Sequence, residues 1–146
     1  MLRVVVGATL LMLGASTVLA QNLAVIKERQ DLMKANADAT KAPTAMLKGE
    51  APFDLAKVKA SLKTFQETSA KLKTLWPEDS KTGGDTRALP AIWTNTKDYL
   101  AWFDGFAKDA KAAEASITDE ASFKTAWKNV TDYCGGCHKD FRAAKK

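Results

Sequence analysis

The sequence predicts an all-α fold, an up-down-up-down antiparallel four-helix bundle, and three observations carry that expectation. Apolar residues recur at spacings of three and four through four separate stretches, each marking one inward stripe of a helix. Between those stretches lie groups of Pro, Gly, Asp and Ser that stop helices. No stretch alternates apolar and polar residues with the period of two that a half-buried strand needs, and there is no internal repeat. Short connections favour antiparallel neighbours, and the near-heptad spacing favours small crossing angles with a left-handed twist.

The first predicted helix carries Leu23, Ile26, Gln30, Met33, Ala37 and Thr40 on one stripe, with Asn22 as its N-cap. Pro43 should loosen it near its end, and Lys48-Gly49-Glu50-Ala51-Pro52 should stop it. The second begins at Asp54, a good cap, with Phe53 placed to staple against Val58. Its stripe is Leu55, Val58, Leu62, Phe65, Ser69, Leu72 and Trp76. From Pro77 to Leu89 the period is lost and a loop is expected. Pro90 suits the first turn of a third helix bearing Ile92, Thr96, Tyr99, Phe103, Phe106, Ala110 and Ala113. Thr118, followed by Asp119 and Glu120, opens a fourth, whose stripe is Phe123, Trp127, Val130, Cys134, Cys137 and Phe141. The aromatics Phe65, Trp76, Trp93, Tyr99, Phe103 and Trp127 are assigned to the core.

Residues 1–20 have the pattern of a cleavable signal peptide: Arg3 at the start, an apolar run from Val4 to Leu13, and Val18-Leu19-Ala20 before a cut. Cleavage after Ala20 would leave one domain, residues 21–146, exported to the periplasm without stable membrane insertion. That domain has 21 basic and 17 acidic residues, a net of +4 spread along the chain. Such a surface is soluble and suits an encounter with an acidic protein. It is not a nucleic-acid patch.

Near the end stands Cys134-Gly135-Gly136-Cys137-His138, the C-x-x-C-H pattern that attaches a c-type haem. Residues three apart share a helix face, so both thiols can form thioethers to the vinyl groups of one porphyrin. His138 can then place its imidazole under the iron as the proximal ligand. The two glycines are expected to leave room for the macrocycle. Structural zinc wants four ligands, and the chain holds two Cys and one His. A thioredoxin-like dithiol belongs at a strand-to-helix turn, which is not expected here. A plain disulfide would leave His138 without a purpose. The expected cofactor is one covalently attached haem c.

Only eight residues follow His138, none of them Met, Cys or His, so a protein ligand on the opposite side of the iron must come from upstream. Met1 and Met12 fall in the leader, which leaves Met33 and Met46. Met33 lies on the inward stripe of the first helix, whereas Met46 sits beyond Pro43 near a helix end. Met33 is therefore the preferred ligand; the alternative is that it packs over an open sixth position.

Taken together, these residues resemble the class II cytochromes c, which include cytochrome c prime and a low-spin, Met-ligated branch. The resemblance covers the whole of residues 21–146. It rests on Cys134-x-x-Cys137-His138 followed by Phe141-Arg142, on Arg29 and Met33 four apart, and on the stretches Lys48 to Asp54 and Ile92-Trp93. It implies a site in which Arg29 lies near a haem propionate and Arg142 covers the proximal face. In the low-spin branch a Met at the Met33 position is the sixth ligand and electron transfer is the implied role. In cytochrome c prime the corresponding residue does not ligate, and five-coordinate iron binds nitric oxide or carbon monoxide. The string Asp31-Leu32-Met33-Lys34 looks more like the low-spin branch. The family resemblance also implies pairing as a homodimer through the first two helices.

Two functions thus compete: a carrier of single electrons between redox partner proteins, and a binder of diatomic gas. Peroxidase-like catalysis finds little support, because the one His is already committed to iron. No enzymatic activity is expected.

Overall fold

In the computed structural model, residues 14–145 are described, with side chains from Leu23 onward. The expected Arg3 n-region and the whole apolar run from Val4 to Leu13 lie outside the described residues, as do Met1 and Met12. The architecture is four long helices, α1 (Gly14–Leu47), α2 (Leu55–Leu72), α4 (Thr96–Ser116) and α5 (Glu120–Phe141), with a four-residue α3 (Ala91–Thr94) before α4. Among the described residues the only extended pairing is an isolated antiparallel bridge, Ala88 to Arg142. None of the described helices is long and apolar enough to cross a membrane.

The helix ends show which local signals won. α1 continues through Asn22, so Asn22 is not a cap in the intact chain; a start there would require the cut after Ala20. Pro43 is buried inside α1 and the helix runs one more turn to Leu47. It ends on Gly49, whose φ of 73° is left-handed, with Glu50 N–H donating to Ala45 O at 2.9 Å and Gly49 N–H to Met46 O at 3.1 Å, a Schellman pattern. Asp54 caps α2 as its sequence suggests, accepting from Lys57 N–H at 3.1 Å. α5 is capped one residue later than expected, by Asp119 rather than Thr118. Ser122 N–H donates to the Asp119 carboxylate at 2.8 Å, while Ser122 Oγ accepts from the backbone of Asp119, closing a capping box.

The third helix is not continuous. Asn95 breaks it with φ −130° and ψ 47°, separating α3 from α4. At the break Thr96 Oγ1 donates to the carbonyls of Ile92 and Trp93, and Asn95 N–H donates to Ala91 O at 2.8 Å. The loop from Pro77 to Leu89 is also more ordered than its composition suggests. It contains a 3-10 turn, Glu78–Ser80, and its last residues clip to the chain end: Leu89 N–H donates to Phe141 O at 3.0 Å and Ala143 N–H to Arg87 O at 2.9 Å.

Apolar packing divides into two clusters. One joins α2, α4 and α5 through fully buried Val58, Leu62, Phe65 and Phe123, with Met46, Phe106 and Trp127. Phe53 packs against this cluster as the staple predicts. The other gathers Leu72, Ile92, Tyr99, Phe103 and Phe141, with Met33, Trp76 and Trp93 against it. α1 packs on α2, α2 on α4, and α4 on α5, but α1 and α5 are held apart along the fourth seam. Phe123 lies away from that seam, so Phe123→Ala should cost about 3–5 kcal/mol in denaturant unfolding while leaving the absorption spectrum of the loaded protein unchanged.

Candidate functional site: the cavity between α1 and α5

The open seam is a cavity of about 420 Å³. Its walls are set by helix periodicity. From α1, Arg29, Met33, Ala37 and Thr40 face it at steps of three and four; from α5, Cys134, Cys137, His138 and Phe141 do the same. Phe65, Trp76, Tyr99 and Phe103 supply aromatic walls, whereas Trp93 and Trp127 pack elsewhere. Every site residue expected from the sequence therefore lines this one space: Cys134, Cys137, His138, Met33, Arg29 and Arg142. Met46 does not line it; it is 5% exposed, packed in the cluster around Val58, Leu62 and Phe123.

The two cysteines form no disulfide with each other and are half-buried on the inward face of α5. Burial pushes the Cys134 thiol up, and burial together with Cys134 and Asp140 pushes Cys137 up to about 11, with Arg142 opposing. Burial, helped by the guanidinium groups of Arg142 and Arg87, lowers His138 below its ordinary range. The imidazole is thus held neutral, which is the form that gives a lone pair to a metal. Among the described residues no group of three or more His, Cys, Asp or Glu is arranged around a single ion. Two thiols and an imidazole at i, i+3 and i+4 beside a mostly apolar cavity fit a porphyrin, whose own four nitrogens would surround the iron.

The two glycines of the motif play unequal roles, unlike the equal spacing role expected of them. A Cβ on Gly135 would meet nothing within 4 Å. A Cβ on Gly136 would come within 2.5 Å of Trp102 Cη2 and 2.8 Å of Cζ3, so it is the indole of Trp102, from α4, that requires the missing side chain.

Arg29 is more deeply engaged than its sequence position suggests. It is 4% exposed, with Nη2 donating to Ser80 O at 2.9 Å and Nη1 to Ser80 Oγ at 3.2 Å. Its guanidinium lies 4.3 Å from the Trp76 ring centroid. One face of this side chain therefore pins the 3-10 turn to α1, and the residue also borders the cavity. Arg87 was not anticipated. It reaches the cavity because the loop end is clipped to the chain end beside Arg142, a long-range pairing for which the sequence carries no periodic signal. The ion pairs among the described residues all use lysines on the exterior, and Arg29, Arg87 and Arg142 are in none of them.

The sequence profile of the family described as Cytochrome C' matches residues 24–142. The chain belongs to the cytochrome c' family. A cytochrome c' of Rhodopseudomonas palustris is 46% identical over 144 residues, covering 99% of this chain and 98% of the relative. Cytochrome c-556 of the same organism is 36% identical over 146 residues, covering 97% of each. A solved structure of cytochrome c' from R. palustris superposes with a TM-score of 0.82 at 48% identity, over 84% of this chain and 98% of that one. An NMR-validated structural model of oxidised R. palustris cytochrome c556 gives 0.76 at 31%, over 84% and 98%. As a member of the cytochrome c' family the chain is a four-helix haem protein carrying one covalently attached haem c, and Cys134 and Cys137 are the pair that fits its attachment.

For a cytochrome c' domain the glycine asymmetry is testable. Gly136→Ala should destabilise the loaded protein by about 1–3 kcal/mol through the clash with Trp102. Gly135→Ala should be neutral or stabilise by up to about 1 kcal/mol through helix propensity. Paired denaturant titrations read both.

Proposed function

We propose that this protein is a periplasmic carrier of single electrons whose haem iron is held between His138 and Met33. The observation that carries the reading is that Met33 from α1 and His138 from α5 face one cavity across the open seam, while Met46 is packed elsewhere. Bound haem supplies a one-electron couple at its iron. His138 offers a neutral imidazole. Met33 offers a thioether that favours the ferrous form and raises the potential. Two fixed ligands and apolar walls limit the rearrangement that accompanies each electron. No catalytic residue is needed. Arg29 and Arg142 border the same space and would stand near the haem carboxylates as counter-charges.

Export fits the reading: residues 1–20 would be removed after Ala20 and haem attached outside the cytoplasm. Amino-terminal sequencing of protein recovered from the periplasm should then begin at Gln21. An intact leader on the recovered, haem-loaded protein would overturn cleavage after Ala20 and make residues 1–20 a retained segment.

A second reading is favoured by the higher identity to a cytochrome c' than to a cytochrome c-556. In it Met33 only packs over an open distal face, and the iron binds nitric oxide or carbon monoxide. Absorption spectra of ferric and ferrous holoprotein, with and without carbon monoxide, separate the two. The carrier should be low-spin in both oxidation states and little altered by the gas, and Met33→Ala should turn it high-spin and gas-binding. An unmodified protein that is already high-spin and shifts with carbon monoxide would make Met33 a wall residue.

A further inference from the structure

The cavity contains one buried polar group whose partner is missing. Tyr99, on α4, is 2% exposed and lines the cavity, yet among the described residues its hydroxyl has no hydrogen-bond partner. The contrast with similar groups is direct. Tyr133 donates to Asp109 at 2.9 Å, Trp93 Nε1 donates to Trp76 O at 3.0 Å, and Trp76 Nε1 donates to Leu72 O. A buried donor left unmade is a net loss, so such groups are rare unless a ligand completes them. The Tyr99 ring has little freedom to turn elsewhere. It is packed edge-to-face by Trp76 at 4.8 Å, Phe103 at 5.2 Å and Phe141 at 4.9 Å. Burial and the neighbouring Cys137 push its ionisation above the ordinary range, against the pull of Arg29, so it remains a neutral donor.

A haem offers few acceptors to such a donor. Its ring nitrogens are bound to iron, its methyls and methine bridges accept nothing, and a thioether sulfur accepts weakly. The propionate carboxylates are the strong acceptors on its rim. Tyr99 shares the cavity with Arg29, a buried cation with no carboxylate partner among the described residues. We propose that the Tyr99 hydroxyl donates a hydrogen bond to a haem propionate on the Arg29 side of the cavity. Tyr99 is then a cofactor-binding residue contributed by α4, joining the charge of Arg29 with a neutral, charge-assisted donor. This depends on the haem and not on whether Met33 binds iron.

Tyr99→Phe removes the oxygen and keeps the ring. In the haem-loaded variant the propionate-bending band in the resonance Raman spectrum should shift, and the reduction potential should fall because the carboxylate is less compensated. The Soret maximum, haem content and porphyrin skeletal lines should match the unmodified protein. An unchanged propionate band in the loaded variant would overturn the proposal. A crystal structure of the unmodified holoprotein gives a second check that needs no variant. Tyr99 Oη within about 3 Å of a propionate oxygen supports the assignment. An ordered water or a protein carbonyl in that place overturns it.

Discussion

Covalent anchorage to a single helix is the constraint on which the rest of this structure depends. Cys134, Cys137 and His138 all lie on α5 and line one cavity, so a haem attached through the two cysteines would be carried by one helix. The remaining helices must then leave a slot on that side and close on every other. They do so through unequal seams: α1 on α2, α2 on α4 and α4 on α5 are packed, while α1 against α5 is not. The small residues Ala37 and Thr40 on the cavity face of α1, and the aromatics of α2 and α4 behind it, follow from that requirement. A bundle without the cofactor would fill the same seam with large aliphatic side chains.

Charge is sorted along the same lines. Lysines supply the exterior ion pairs, mostly to carboxylates three or four residues away on the same helix, where each contributes little. The three arginines of the described chain all border the cavity. A guanidinium suits that place because it is weakly hydrated, can lie flat on an indole as Arg29 does on Trp76, and matches a carboxylate in two-point geometry. The same positive surroundings, with burial, keep His138 unprotonated. Two of the arginines that border the cavity thus also hold the His138 imidazole in its neutral form.

What the sequence made legible was whatever is encoded within a turn or two. The four stripes, the Asp54 cap, the inward thiols and the placement of Met33 are all consequences of helical period, and period survives in a linear string. The errors came where two local rules compete or where distant segments meet. Asn95 breaks the third helix with a non-helical backbone, a change that a stripe of apolar residues does not register. Ser122 completes the cap of α5 where a longer Glu or Gln is the usual partner, which moved the apparent start to Thr118. Arg87 and Trp102 act through a loop-to-terminus pairing and a helix-to-helix approach, and neither leaves a periodic trace.

Identity is summed over the bundle, whereas ligation turns on one side chain. Exchange among Met, Leu and other apolar residues of similar volume costs a bundle less than about 1.5 kcal/mol. The packing that holds the fold is therefore nearly indifferent to which of them faces the iron. What does constrain the choice is the stiffness of α1 at that point. Arg29, one turn before Met33, is tied to Ser80 and stacked on Trp76, so the segment that would carry the ligand is pinned to the 3-10 turn and through it to the end of α2. A helix so held presents the Met33 thioether at a fixed height over the cavity. Whether that height suits a bond to iron is a property of the clamp as much as of the methionine.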